Sequence, residues 1–275
     1  MIKKVLKSKI ELLIKSLPYG RDLFLVMFRS RLTISYRGVY LNYKQASKSI
    51  SSSEQSYDKA NRKKRENKEK EIRIIDSKFR NHDYPFLFWL SRLLSDSTRI
   101  LELGGSLGHF YYSAKNLIGF PEKLKWQIAE LPEAVSFGTE LASERNEKQL
   151  TYIDSSQVEN SQPANVFISS GAIQYMTVSL VEILTSLPCM PEHVIIHDLP
   201  VHSQTSFWTT QRLEYCEIPY HVYFLNEFIE DLNGLGFELI SQWNWLRPME
   251  IPFHKALSLS HLQGFYFKKK FESIA

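Results

Sequence analysis

The sequence predicts an α/β fold: a seven-stranded, mostly parallel sheet with helices on both faces and an antiparallel last strand, preceded by a helical N-terminal extension. Three observations predict it. Between residues 85 and 270, short apolar runs alternate with helix-compatible segments, as parallel strands joined by crossover helices do. One junction, RILELGGSLGHF at 99 to 110, is a strand that breaks on glycines and restarts as a helix. The last two runs, FELISQWNW at 237 to 245 and LQGFYFKK at 262 to 269, follow each other with no helical segment between them, which implies an antiparallel closing pair. Residues 1–80 form the extension and 81–275 the sheet domain.

In chain order, residues 2 to 17 place Ile2, Val5, Leu6, Ile10, Leu13, Ile14 and Leu17 on one helical face, with Lys4, Lys7 and Lys15 largely opposite. Such a helix docks on the protein's own core or on a second copy in a homodimer, or it lies on an anionic membrane as a peripheral contact through residues 1–17. Residues 36 to 58 lack a sustained period and read as a turn-rich lead-in, with a flexible loop at the serine run from 49 to 53. In residues 61 to 73, Glu66 with Lys70 and Glu69 with Arg73 are spaced as pairs on a solvated helix. Residues 85 to 94 (PFLFWLSRLL) read as a buried helix.

Five strands follow, at 100 to 103, 125 to 129, 150 to 153, 165 to 169 and 193 to 197. Helices are predicted at 132 to 145, where Pro132 suits a first turn, at 178 to 187, and at 226 to 235, where Gly236 supplies the stop. Ligands of such a sheet gather at the carboxyl ends of its strands. The residues there are polar: Glu102, Glu130 with Leu131 after it, Asp154 and Ser155, Ser170, and His197 with Asp198.

Composition bounds the partners. The chain has 275 residues, 43% hydrophobic and 13% aromatic, enough for a packed core, and its net charge of +4 is too small to require an acidic polymer. No apolar run is long enough to span a bilayer, the longest near the start being residues 23 to 28. Only Cys189 and Cys216 occur, with neither metal spacing nor a disulfide framework, so no metal is expected and a cytoplasmic location suits the chain.

The glycine turn carries the chemistry. Gly104, Gly105 and Gly108 let the backbone approach a ligand closely, and the helix beginning at His109 aims free N–H groups at it. By itself the turn fits a sulfonium cofactor, a dinucleotide or a merely structural role. Glu130 at the second strand end is placed to accept both ribose hydroxyls of any nucleoside cofactor.

With these pieces in register, residues 85 to 270 resemble class I S-adenosylmethionine-dependent methyltransferases, whose sheet is Rossmann-like. More narrowly, RGVY at 37 to 40, YPFLFWL at 84 to 90, ILELGGSLG at 100 to 108, WQIAELPEAV at 126 to 135, SSGAIQYM at 169 to 176, IPYHVYFLNEF at 218 to 228 and LQGFYFKKK at 262 to 270 are similar to a methyltransferase family encoded among bacterial capsule and O-antigen genes. The resemblance implies S-adenosyl-L-methionine as cofactor. Glu102, Gly104, Gly105, Ser106 and Gly108 would hold its methionyl part, Glu130 and Leu131 its ribose, and Asp154, Ser155 and Ser170 its remaining surroundings. Glu102 stands where the family has aspartate, and His197 and Asp198 stand where it has arginine and threonine.

The function so implied is O-methylation of a sugar or glycan precursor for a surface polysaccharide such as lipopolysaccharide, in the cytoplasm or at the inner face of the membrane. The alternatives are a catalytically inactive binding protein of the same fold in a glycan-assembly complex, or an RNA methyltransferase. No Asn or Asp followed by two prolines closes the fourth strand, which argues against methylation of exocyclic amines on nucleic acids, and no nucleic-acid partner is expected. Methyl transfer from a sulfonium is dominated by alignment, and a hydroxyl nucleophile additionally benefits from a base. His197 or His202 is predicted to be that base, with Asp198 orienting it and residues 201 to 221 as substrate cover. His109 is expected to wall the cofactor site, His221 to sit in a substrate-side loop, and Cys189 to be an ordinary apolar residue.

Overall fold

A computed structural model describes residues 17, 19–27, 34–51, 65–67, 70, 72, 75, 79–214 and 216–270. The helix predicted at 2 to 17, with its membrane or dimer contact, lies outside these residues except for Leu17, and so does most of 61 to 73. The described elements, in order, are α1 (Gly20–Met27), β1 (Ser35–Tyr40), α2 (Tyr43–Lys48), α3 (Tyr84–Leu93), β2 (Arg99–Leu103), α4 (His109–Ile118), β3 (Lys125–Glu130), α5 (Pro132–Glu144), β4 (Leu150–Asp154), β5 (Val166–Ser170), α6 (Leu180–Ser186), β6 (His193–Leu199), β7 (Val201–His202), β8 (Phe207–Arg212), β9 (Glu217–Phe224), α7 (Leu225–Gly234), β10 (Phe237–Trp245) and β11 (Leu262–Lys269).

Seven strands form one sheet in the order β10, β11, β6, β5, β2, β3, β4. The strands from β2 to β6 run parallel, and β11 inserts antiparallel between β6 and β10. This is the Rossmann-like α/β sheet, with an antiparallel closing pair, that the alternating pattern predicts. Chain direction across the sheet reverses at β2, from which β3 and β4 go one way and β5 and β6 the other. A crevice opens at the carboxyl ends on either side of such a reversal.

Period-two alternation divides the core. Ile100, Trp126, Ile128 and Ile168 face a cluster that includes Leu90, Phe110 and Leu141, whereas Leu101, Leu103, Phe167 and Ile196 face one that includes Leu184, Phe228 and Leu232. Glu102 alternates with Leu101 and Leu103 and so points into the first layer. Local signals set the helix ends: Ser179 and Glu182 form a reciprocal capping box at α6, and Pro132 opens α5. Only part of α3 is buried, since Phe86, Leu87 and Leu90 pack inward while Tyr84 and Phe88 stay exposed. No helix among the described residues is long and apolar enough to cross a membrane.

A second sheet, in the order β1, β8, β9, β7, corrects two expectations. The supposed turn-rich lead-in contributes β1 and α2, and His221, expected in a loop, lies in β9, the predicted cover at 201 to 221 contributing β7, β8 and part of β9. The register of β1 against β8 shifts between Arg37 and Tyr40, around Gly38 at φ +71°, and this irregularity removes the strand period from the sequence. In β8 the buried residues Thr209, Thr210 and Gln211 are polar, so no apolar alternation marks the strand. Their partners are distant: Thr209 and Thr210 donate to the Arg37 carbonyl, and Gln211 Nε2 donates to Tyr36 Oη at 2.9 Å.

Candidate functional site

At the end of β2 the backbone turns through Gly104 (φ +76°), Ser106 (φ +51°) and Gly108 (φ +90°) before α4 begins. A Cβ at Gly104 would lie 2.2 Å from Ala172 Cβ, and one at Gly105 would lie 2.5 Å from the Glu102 carboxyl carbon. The turn therefore presses against the segment after β5 on one side and lies directly over Glu102 on the other. Glu102 is fully buried; Trp126 Nε1 donates to its Oε2 at 2.8 Å, and its Oε1 accepts no hydrogen bond. Burial lifts this carboxyl to about 7, the Trp126 hydrogen bond opposing the shift and the charge of Glu130 adding to it.

Glu130, one strand over, takes two backbone donors: Ser106 N–H at 3.1 Å on Oε1 and Leu131 N–H at 2.7 Å on Oε2. It ties the turn to the end of β3. Asp154 accepts the Ser156 N–H at 2.8 Å and so caps the 3-10 turn Ser155–Asn160.

Two cavities meet over this rim. One, of about 360 Å³, is lined by Ala129, Glu130, Leu131 and Ser155 from the sheet, Tyr43 and Ser47 from α2, and Ile218 and Pro219 from β9. The other, of about 220 Å³, is lined by Glu102, Gly105, Ser106, His109 and Ser170, with Arg80, Gln174, Asp198, Gln211, Tyr220 and Arg247 around them. Gly104, Gly171 and Tyr175 belong to both walls. Of the residues expected to hold cofactor, Gly108 and Asp154 line neither cavity, one starting α4 and the other holding the turn that presents Ser155.

The smaller cavity is rich in unanswered acceptors. Glu102 Oε1, Gln174 Oε1 and Asp198 Oδ1 are all buried and without a hydrogen-bond partner. Buried polar atoms are ordinarily satisfied, so three such oxygens around one cavity fit a ligand carrying several donors. Gln211, Tyr175 and Tyr36 form a chain above them, Tyr175 Oη donating to Gln211 Oε1 at 2.7 Å. Gln211 and Tyr220 fall in the predicted cover and Tyr175 in the SSGAIQYM segment, but Tyr36 and Arg247 come from segments with no motif, and no side chain of this upper wall was singled out from the sequence.

His197 and His202 line neither cavity. His197 is 1% exposed; Trp243 Nε1 donates to its Nδ1 at 3.1 Å, and its Nε2 lies 3.3 Å from Asp83 Oδ1. Trp243 reaches it by lying flat over Gly264, where a Cβ would come within 2.1 Å of the indole. His202 is similarly engaged, Nδ1 accepting from Gln204 N–H at 3.2 Å and Nε2 facing the Ala256 carbonyl at 3.0 Å. Asp198 faces the cavity instead of orienting either ring. His221 lies in β9, stacked on Trp208 with centroids 4.5 Å apart, and burial pushes it down to about 4. His109 does line the smaller cavity, and Cys189 is exposed in a turn.

His82, Asp83 and His197 bring three metal-ligating atoms within 4.8 Å of one another. A histidine coordinating through Nε2 carries its proton on Nδ1 and aims it at an acceptor. His197 Nδ1 instead faces the indole donor, so the trio is a polar strut between α3 and β6. Burial pushes Asp83 upward, but hydrogen bonds from His197 and Arg80 outweigh it and hold the carboxyl below its usual range.

No protein-family model and no curated protein sequence matches the chain. Its fold is similar to that of solved methyltransferases over about two-thirds of its length. The glycopeptide N-methyltransferase MtfA complexed with S-adenosyl-L-methionine is 11% identical, over 66% of this chain and 92% of that one, with a TM-score of 0.46. The CcbJ methyltransferase from Streptomyces caelestis is 12% identical over 67% and 88%, with a TM-score of 0.45. The 1,6-didemethyltoxoflavin-N1-methyltransferase from Burkholderia thailandensis, solved with its substrate and S-adenosylhomocysteine, is 12% identical over 67% and 78%, with a TM-score of 0.43.

Proposed function

We propose that this chain is an S-adenosylmethionine-dependent methyltransferase that O-methylates a sugar or glycan precursor for a surface polysaccharide, in the cytoplasm. One observation carries the cofactor assignment: a fully buried Glu102, one oxygen of which has no hydrogen-bond partner, lines a cavity beneath a glycine turn. That oxygen suits the α-ammonium of a methionyl group, with Gly104, Gly105 and Ser106 leaving room for its backbone. Glu130, Leu131 and Ser155 line the larger cavity, where the nucleoside would lie between the sheet and Tyr43. When bound, the cofactor supplies a methyl group already activated on a sulfonium.

The protein's part is then alignment and the exclusion of water, for which the covering sheet over the strand ends is suited. The acceptor class is supported by the sequence resemblance and by the hydrogen-bonding wall of Gln174, Gln211, Tyr220 and Asp198, which matches a polyhydroxylated molecule.

Calorimetry with S-adenosylmethionine and S-adenosylhomocysteine tests the cofactor. Saturable binding of both is expected, and failure to bind either removes the proposal. Transfer of labelled methyl to a panel of nucleotide-linked and lipid-linked sugars tests the acceptor; binding without transfer to any member counts against sugar O-methylation.

A further inference from the structure

If the chain transfers methyl groups to hydroxyls, as proposed above, some group must take the proton, and the two buried histidines are badly placed to do so. We propose that Asp198 is the catalytic base, its carboxylate receiving the proton of the acceptor hydroxyl. Four features of its position support this. It stands near the end of β6 in a left-handed conformation (φ +59°), which is uncommon for any residue but glycine yet tolerated by aspartate. Its carboxylate lines the smaller cavity, together with Glu102. Opposite it is Gly171, where a Cβ would sit 3.6 Å from Asp198 Cβ and 3.8 Å from its Oδ2, so the carboxylate lies beside a residue that both cavities share. Finally, its two oxygens differ: Oδ2 lies 3.7 Å from Arg247 Nη1, while Oδ1 is buried and accepts nothing.

The charged and titratable groups around Asp198 include His197 beside it on β6, Arg247 after β10, Arg80 and Asp83 before α3, and the phenols of Tyr36 on β1 and Tyr220 on β9. Burial raises the carboxyl, His197, Arg247 and Arg80 oppose the shift, and Asp83 adds to it. A carboxylate more basic than usual is a better proton acceptor near neutral pH. In the step itself the acceptor oxygen forms a bond to the methyl carbon and its proton passes to the Asp198 carboxylate. The carbon–sulfur bond breaks with its electron pair left on sulfur, so the products are a methyl ether, neutral S-adenosylhomocysteine and a protonated Asp198 that later loses its proton to solvent.

Two measurements decide the matter. In protein labelled with carboxyl-¹³C aspartate, the resonance absent from Asp198→Asn should titrate above the ordinary aspartate range; titration within or below that range overturns the proposal, and this readout needs no acceptor. In transfer assays on the sugar panel, Asp198→Asn, which keeps the shape and tolerates the backbone conformation, should lose about 100-fold or more in turnover. Its affinity for S-adenosylhomocysteine should be unchanged, and Asp198→Glu should recover part of the rate. An Asp198→Asn variant with near-normal turnover overturns the proposal, as does a loss confined to His109→Gln, which would hand the role to that ring. Lack of transfer by the unaltered protein to any sugar counts against the O-methylation reading, and against the base with it. Lack of cofactor binding by the unaltered protein defeats the methyltransferase reading and the base with it, whereas near-normal turnover by Asp198→Asn in a protein that binds cofactor defeats the base alone.

Discussion

At the β2–β3 side of the rim, charged side chains are met by groups close in sequence or one strand away: Glu130 holds Ser106 and Leu131 N–H groups, and Glu102 lies under Gly105 and accepts from Trp126. At the β6 side, side chains meet side chains from far along the chain. His197 is held by Trp243 and approached by Asp83, more than a hundred residues earlier, and Asp198 is approached by Arg247. The first half is a cradle whose shape depends on glycines. The second is a packed polar assembly whose members turn inward or outward according to what distant segments offer them. Polar residues at strand ends are therefore equivalent in the sequence and unequal in the fold.

Substitutions that strike one half should not behave like those that strike the other. The largest effect is expected from Gly104→Val. Its φ of +76° and the 2.2 Å approach to Ala172 leave no room for a side chain, so S-adenosylhomocysteine binding should vanish in calorimetry while most of the circular dichroism persists. His197→Ala should show the reverse, a loss of about 3 kcal/mol in urea unfolding from the abandoned Trp243 donor and the emptied volume, with cofactor affinity retained. A large fall in affinity without a fall in stability would erase the distinction between the halves.

Glu102 makes the same comparison through pH. Folding raises it from an ordinary 4.5 to about 7, so between those values the folded chain binds more protons than the unfolded one. Stability should fall as pH rises across that window and level off above it, by about 3 kcal/mol in all. Unfolding midpoints of Glu102→Gln should lack this component. The smallest effect is expected from His202→Ala: with its ring facing the Ala256 carbonyl, a loss of about 1 kcal/mol in stability and unchanged methyl transfer are predicted, and abolished transfer would restore it as a candidate base.

Most of the main sheet was legible. The apolar runs at 100 to 103 and 193 to 197, the capped helices and the helix-free ending each reflect a local period or a local stop, and the strands, β11 among them, formed where the pattern placed them. The glycine turn with Glu102 was legible for the same reason. The covering sheet was not, because an irregularity at Gly38 and buried threonines in β8 leave no apolar alternation to find. Nor was the direction of His197, since nothing near it in sequence announces that Trp243 will cross Gly264 and claim its Nδ1.

By itself, the sequence determined the α/β alternation, the antiparallel ending and a glycine turn beside two acidic strand ends, all set by hydrophobic period and backbone stereochemistry within a few residues. Only the tertiary structure decided that Glu102, Gln174 and Asp198 leave oxygens free around one cavity while His197 and His202 turn away from it. The physical reason is that a polar side chain points wherever its hydrogen bonds are answered, and those answers come from segments that only folding brings together.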